Sequence, residues 1–307
     1  MKVYQTSEVL HEPTAVALGF FDGLHKGHQA VIGTVVDYAR QHHVTPLVFT
    51  FFESPKTVLK GTQPEMLFTE AERLEQLEKM GVSALYLEHF QSLRSMTAAD
   101  FVCEFLRKKL KAEFVSCGFN YRFGAGGQGT AESLSVLCAS CGMEMQRCEP
   151  IMYGGQPVSS TRIRQALSIG DIETVNALLG YKYGFAEPVI HGNEIGRTLG
   201  TPTLNQVFPE KMFVPALGVY ASVVTLQGKK YCGVTNIGWK PTVGSDRLLA
   251  ETWLTNYHGA SFYGETVDIR LVSFIRPERK FDGLDALKQE IYRNGATAQK
   301  LVAPLLS

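Results

Sequence analysis

Along its first half the chain alternates short apolar runs with segments whose apolar residues recur every three or four positions. Residues 14–20 read as a buried strand, and residues 28–41 as a helix with Val31, Val35, Tyr38 and Ala39 on one face. Residues 47–51, 84–87 and 114–117 are expected to be further strands. Residues 69–80, opened by a threonine cap, and 98–110 are expected to be helices. Strands separated by helices of this length need crossover connections, which build a parallel sheet covered on both faces and place ligands outside the carboxyl ends of the strands. The first half is therefore expected to be an α/β domain.

The pattern changes after residues 166–180, a helical stretch that carries Gly170 and ends at Gly180. Short β runs follow, many with period two, at 219–226, 230–236, 249–254 and 267–274, separated by Gly, Pro and Asn. Closely spaced strands of this kind suggest an antiparallel barrel, and residues 285–292 then read as one closing helix. The boundary is placed near residues 180–184, giving domains 1–180 and 181–307 with no internal repeat or low-complexity tract.

Composition narrows the class. A chain of 307 residues suits about two domains of roughly 150 residues. With 45% hydrophobic and 20% charged residues, it fits neither a disordered nor a fibrous protein. Thirty Lys and Arg balance thirty Asp and Glu, which argues against nucleic-acid or membrane-surface partners bound by counterion release; an anionic ligand would be held locally. The longest uncharged stretch, 212–228, contains Pro215 and is shorter than the roughly 20 apolar residues of a membrane span. The first residues lack an apolar secretory core, so a cytoplasmic location is expected. The six scattered cysteines are expected to be reduced thiols in a chain large enough to fold without disulfides. Cys138 and Cys141, spaced C-x-x-C, lack the second pair of a zinc site and read as packed thiols.

Candidate chemistry sits in three places. GFFDGLHKGH, residues 19–28, places Gly19, Phe20, Asp22, Gly23, His25, Gly27 and His28 at a strand-to-helix turn. There, unpaired backbone N–H groups and the helix dipole favour an anion, and the two histidines can donate to phosphate oxygens. SSTRIR, with Ser159, Ser160, Thr161, Arg162 and Arg164, opens a helix with hydroxyls and guanidinium groups and reads as a second phosphate clamp. Taken alone it reads more simply as a capped, solvated helix start. HGNEIGRTLGTPTLN, residues 191–205, ends in Thr203 and Asn205, two residues apart in extended chain and so on one face, where hard oxygen donors suit Mg²⁺ held jointly with nucleotide phosphates. The glycine run 124–129 is a weak nucleotide motif, since no strand leads into it and no helix receives phosphate; a mobile loop beside Asn120 is expected. The basic residues at 107–111 read as favourable electrostatics at a helix end.

GFFDGLHKGH, GFNYRFG (residues 118–124) and SSTRIR, in this order and spacing, resemble the prokaryotic bifunctional riboflavin kinase/FAD synthetase family. So does GRxLGxPTxN, matched at Gly196, Arg197, Leu199, Gly200, Pro202, Thr203 and Asn205. NIGWKPTVG (236–244), Glu251 and RPERKF (276–281) extend the resemblance over nearly the whole chain. It implies a Rossmann-like α/β nucleotidylyltransferase (FMN adenylyltransferase) domain followed by a mostly β, Greek-key-like riboflavin kinase barrel with a C-terminal helix. The first domain would make FAD and pyrophosphate from FMN and ATP, and the second FMN and ADP from riboflavin and ATP, both with Mg²⁺. On that resemblance His25 and His28 meet the ATP phosphates, and Ser160, Thr161 and Arg164 the β and γ phosphates. Asn120 belongs to the adenylylation centre, Gly196, Arg197 and Gly200 to the second nucleotide site, Thr203 and Asn205 to its metal, and Glu251 is the kinase base. Partners would be small-molecule substrates, with protein partners unknown.

One departure bears on the outcome. TFFESPK, residues 50–56, stands where relatives usually carry TFDPHP, so Phe52 replaces an acid and Ser54 a histidine. Phe51 and Phe52 can instead be strand core. Two alternatives follow: a riboflavin kinase whose adenylyl transfer is weak or lost, and a flavin- or nucleotide-binding regulatory module without turnover.

Overall fold

Apolar strands need covered faces, and the chain meets that need in two separately packed units. The structure, a computed structural model, describes residues 1–61, 64–192, 200–242, 245–257, 259 and 262–306. One unit comprises Met1–Met66 with Glu70–Ser160; the other takes Leu67–Thr69 and the chain from Thr161.

In the first unit, β1 (Lys2–Gln5), β2 (Thr14–Leu18) and α1 (Lys26–His42) are followed by β3 (Thr45–Phe51), α2 (Pro55–Lys60), α3 (Glu70–Lys79), β4 (Ala84–Glu88) and α4 (Phe90–Leu93). Then come α5 (Ala98–Asp100), which runs on as a π-helix (Phe101–Lys109), and β5 (Ala112–Gly118). The short strands β6 (Arg122–Phe123) and β7 (Gly129–Thr130), helix α6 (Ala131–Ser140), and β8 (Glu144–Cys148) complete the α/β part. A parallel six-stranded sheet runs β1-β4-β3-β2-β5-β8. All five residues of β2 are buried, because β2 is central and covered on both faces. Adjacent strands in this order lead away from β2 in opposite directions, so the turns after β2 and β5 flank the reversal point where such sheets bind ligands.

Three expectations need correction here. The opening residues, for which no element is expected, include β1: as an edge strand with mostly exposed side chains it gives no apolar signal. The glycine run 124–129 is bounded by the paired strands β6 and β7 and leads straight into α6, whose Thr130–Ser133 capping box fixes its start. Two-residue strands are too short to show periodicity. The six thiols are not all reduced: Cys103, on the π-helix, and Cys141, at the end of α6, form a disulfide across a Cα separation of 5.9 Å. A sequence separation of 38 hides that juxtaposition from the sequence. Cys117, Cys138, Cys148 and Cys232 are buried free thiols.

Beyond the small hairpin β9 (Met152–Tyr153) and β10 (Gln156–Pro157) lie α7 (Ser160–Ser168) and α8 (Ile172–Leu179), which pack with the second unit from Thr161 onward. Asn176 of α8 donates to Leu271 O at 3.0 Å and accepts from Tyr183 N at 2.8 Å. The barrel strands are β11 (Gly184–Pro188), β12 (Thr203–Val207), β13 (Gly218–Leu226), β14 (Lys229–Thr242), β15 (Ser245–Leu254) and β16 (Thr266–Pro277). They pair antiparallel in the order β11-β16-β13-β14-β15-β12, and an Ile190–Asn205 bridge brings the two ends together. Closing the sheet in this way covers its edges.

Helix α9 (Leu284–Val302) is longer than the expected 285–292 and lies across the outside of β13, where Ala298 and Val302 join Val219, Ala221 and Val223 in one apolar cluster. That cover explains why β13 is buried along almost its whole length: the barrel interior takes Tyr220 and Val224 while the helix takes the alternate residues. Close approach of α9 depends on Gly295, where a Cβ would lie 2.6 Å from the Trp253 ring. Gly295→Leu is predicted to destabilise the protein by ~1–3 kcal/mol through overpacking, outweighing the ~1 kcal/mol gained from helix propensity. A chemical-denaturation midpoint equal to that of the wild type would contradict this packing.

Candidate active sites

The first site forms where β2 ends. Phe21, Gly23 and Leu24 all have positive φ, at 56°, 76° and 40°. A run of left-handed residues that includes two non-glycines is costly and clusters at functional turns. The turn is pinned to β3, where Thr50 Oγ1 donates to Phe20 O at 3.0 Å, and to α1, where Gln29 Nε2 donates to Leu24 O at 2.8 Å. Gly19 passes over the Phe21 ring, which a Cβ would meet at 2.9 Å. The side chain of Asp22 is buried.

His25 is the N-cap of α1, its Nδ1 accepting from His28 N at 3.3 Å. That bond puts the neutral ring's proton on Nε2. The two imidazoles stack with centroids 3.6 Å apart, and Phe21 packs edge-on against His28 at 5.3 Å. Gly27 leaves room for this stack, since a Cβ there would come within 3.2 Å of the His25 ring. Burial pulls His25 down from 6.5 to about 4. His28 is held well below its ordinary value, first by burial and then by His25. Both rings are therefore neutral N–H donors at neutral pH, and Nδ1 of His28 is a buried atom with no hydrogen-bond partner, the kind of orphan a ligand satisfies.

Within the first unit, Ser160 Oγ donates to Asp22 O at 3.0 Å. Ser159 precedes α7, and Thr161, Arg162 and Arg164 lie on it, with the Arg164 guanidinium 6.0 Å from the Phe213 ring centroid. Asn120 is exposed in the turn after β5, the strand next to β2. Sequence reading overlooked Arg73 of α3, a buried guanidinium paired with Glu70 at 3.8 Å and facing the charge of Asp22; burial lowers its pKa. A charged residue one turn into an acidic helix gave no sign of this placement.

In the altered segment Phe51 packs edge-on against Phe49 and Phe90, as a core residue would. Phe52 does not join the core: it is 38% exposed and stacked on His89. Strand alternation sends it to the opposite side from Phe51, just beyond the end of β3. Ser54 caps α2 by accepting from Lys56 N at 3.3 Å. Glu53 accepts from Phe90 N at 3.0 Å and approaches His89 Nδ1 at 3.2 Å. The polar groups here hold helix starts together.

In the barrel, register sets the second site. Asn205 of β12 stands opposite Glu251 of β15, which stands opposite Asn236 of β14; Thr203 stands opposite Trp253. Alternation therefore places Thr203, Asn205, Glu251, Trp253 and Asn236 on one face. Asn205 is buried and its Nδ2 donates to Thr203 O at 3.4 Å; Gly192 leaves the space that the Asn205 amide fills. Glu251 is half-buried, with Lys240 Nζ 3.2 Å from its Oε2.

Thr203 also lines a cavity of about 510 Å³ with Gly200, Trp253, Tyr257, Tyr263 and Tyr292. Asn205 follows the lining residue Leu204, and Glu251 precedes the lining residue Thr252. Sequence reading missed these aromatics, although Trp253 was signalled by its spacing of two from Glu251. Gly200 has a φ of 77°; Gly196 and Arg197 lie outside the described residues. No cluster of three or more His, Cys, Asp or Glu able to hold a metal occurs among the described residues. The hydroxyl of Thr203 and the amide oxygen of Asn205 are hard neutral donors of the kind Mg²⁺ shares with phosphates rather than a closed protein cage.

The FAD synthetase family model matches residues 7–162, and the riboflavin kinase family model residues 179–302. The chain is 34% identical over 294 residues to the bifunctional riboflavin kinase/FMN adenylyltransferase of Listeria monocytogenes, covering 94% of this chain and 93% of that protein. The Bacillus subtilis protein of the same name is 35% identical over 287 residues, covering 92% and 90%. The Escherichia coli K12 protein is 32% identical over 301 residues, covering 97% and 96%. A crystal structure described as a macrolide-efflux protein from Streptococcus pneumoniae aligns with a TM-score of 0.86 and 32% identity, covering 97% of this chain and 99% of that one. That description names efflux; here, among the described residues, no helix is long and apolar enough to cross a membrane.

The lowered pKa of His25 has a sign. Unfolded, the ring binds a proton as pH falls through 6.5; folded, it does so only near 4. The stability contributed by the neutral ring is thus fully present above pH 6.5 and is lost as pH falls toward 4. His25→Asn keeps a capping acceptor but cannot titrate. Its stability is predicted to depend less steeply on pH across that window, measured by denaturation at several pH values. A slope equal to the wild type's would contradict the buried neutral imidazole.

Proposed function

The chain belongs to the bifunctional riboflavin kinase/FMN adenylyltransferase family of flavin cofactor biosynthesis, and from that premise we propose how its residues divide the two reactions. Residues 1–180 carry FMN adenylylation and residues 181–307 carry riboflavin phosphorylation. The gap between the two family matches, 162 to 179, supports that boundary. We place the enzyme in the cytoplasm, with small molecules as its substrates.

In the barrel, Glu251 accepts the proton of riboflavin's terminal hydroxyl as that oxygen bonds to the γ phosphorus and the bond to the β–γ bridging oxygen breaks, releasing ADP. Thr203 and Asn205 would hold Mg²⁺, which neutralises phosphate charge when bound. The residues 196, 197 and 200 of the glycine-rich segment serve the nucleotide, and the aromatic cavity beside Thr203 suits the flat isoalloxazine ring. The observation that carries this reading is the register that aligns Asn205 with Glu251 on one barrel face.

Within residues 1–180, an FMN phosphate oxygen attacks the α phosphorus and the bond to the α–β bridging oxygen breaks, releasing pyrophosphate. The nucleophile is already an anion, so this site needs donors and placement rather than a base. The turn formed by Gly19, Phe20, Asp22, Gly23 and Gly27 positions His25 and His28, whose neutral N–H groups meet the developing charge. Ser159, Ser160, Thr161, Arg162 and Arg164 take the outer phosphates, and Asn120 orients the reacting groups.

Glu251→Gln is predicted to lower FMN formation on the order of 10²–10⁴-fold while leaving FAD formation from supplied FMN intact. His28→Ala should lower FAD formation on the order of 10²–10³-fold and spare the kinase. Both are read from flavin products separated by chromatography. Equal loss of both activities in either folded variant would overturn the division of roles.

A further inference from the structure

The family's base carries a counter-ion in this chain, and the counter-ion is itself braced. Lys240 of β14 lies four residues beyond Asn236 on the same face of the strand. Its ammonium sits 3.2 Å from Glu251 Oε2 and 3.8 Å from Glu278 Oε1. Lys240 and Glu251 are each about 30% exposed, at 30% and 31%, so the pair is partly withdrawn from solvent. Asn236 Nδ2 donates to Glu278 Oε1 at 3.3 Å and fixes the second carboxylate. Gly238, between Asn236 and Lys240, makes the arrangement possible, because a Cβ there would fall on the Glu278 carboxylate. Beyond Glu278 the charges form a separate group: Glu290 of α9 takes Arg276 at 3.2 Å, Arg279 at 2.6 Å and Arg293 at 3.7 Å. Those arginines are committed to Glu290, which leaves Lys240 as the cation that Glu251 engages among the described residues.

Accepting the reading of Glu251 as the kinase base, we propose that Lys240 is its positioning residue, with Glu278 bracing Lys240 through the space left by Gly238. Two carboxylates pulling on one ammonium fix its place better than a single exposed pair, which would contribute little. Lys240 engages Oε2 and so sets the direction of Oε1, the oxygen left to take the hydroxyl proton. A base held in this way needs less reorganisation in the reaction, so its removal shows in turnover rather than in substrate binding. NIGWKPTVG thereby acquires a physical purpose: Asn236 orients the brace, Gly238 admits it and Lys240 transmits it.

The test is steady-state kinetics of the full-length chain with riboflavin binding followed by fluorescence quenching and FMN adenylylation assayed in parallel. Lys240→Met is expected to lower kinase kcat on the order of tenfold to hundredfold, with KM, riboflavin binding and FAD formation from FMN unchanged. Lys240→Arg should recover most of the loss. Glu278→Gln should lower kcat by less, and the double variant Lys240→Met/Glu278→Gln should be no slower than Lys240→Met alone, since the brace acts only through the lysine. Wild-type kcat in Lys240→Met, or multiplicative losses in the double variant, would overturn the proposal. If Lys240→Met also loses riboflavin binding, Gly238→Ala decides: reduced kcat with intact binding supports the brace, and wild-type kcat refutes it. Glu251→Gln run alongside separates the two claims, because kinase activity surviving in that variant removes the base itself, whatever Lys240 does.

Discussion

Strand register in the barrel is the constraint on which the second site depends. Asn205, Glu251 and Asn236 share one level across β12, β15 and β14, and their side chains leave the sheet on the same side only because each pairing is in step. A slip of one residue in β15 would turn Glu251 into the barrel and Thr252 out. The interior opposes such a slip: Thr252 Oγ1 and Ser222 Oγ both hydrogen-bond to Thr235 Oγ1, at 2.9 and 2.8 Å, across β15, β14 and β13. Buried hydroxyls without partners would be costly, so this ladder helps to lock the chemistry on the outer face. Helix α9 adds a second lock by seating Gly295 against Trp253.

The first unit solves a similar problem by a different route. Its chemistry lies beyond strand ends, where the backbone has left the sheet and a left-handed turn presents a helix N-terminus. Direction comes from the left-handed turn of Phe21, Gly23 and Leu24, and hydrogen bonds from neutral donors. In the proposed division of roles, a carboxylate held by a lysine suits an alcohol that must lose a proton. A pair of uncharged imidazoles suits a phosphate nucleophile that has none to give. The two sites differ in the residue types that the two reactions demand.

Much of this was legible in the sequence because the determining features are local. The GFFDGLHKGH turn, the Ser160 helix start and the Thr203/Asn205 pair are short motifs whose spacing fixes their faces, and the buried strands β2 to β5 announce themselves by short, mainly apolar runs. Features that depend on partners distant in the chain were not legible. The edge strand β1 has few apolar positions, β6 and β7 are too short for a period, and the Cys103–Cys141 bond joins elements that only folding brings together. The length of α9 was underestimated because Gly295 resembles a helix breaker until Trp253 is seen against it. Lys240 stood in a motif already quoted, yet its meaning needed Glu278, 38 residues further on, to be placed beside it.

In the proposed division of labour one chain cuts ATP at two different bonds, at its tip in the barrel and next to the adenosine in the α/β domain. Tracing phosphorus from riboflavin to FAD tests it directly. With ATP labelled at the γ position, label should appear in FMN and persist in FAD; with ATP labelled at the α position, it should enter FAD and never FMN. Label from the α position in FMN, or FAD formed without it, would contradict the claim.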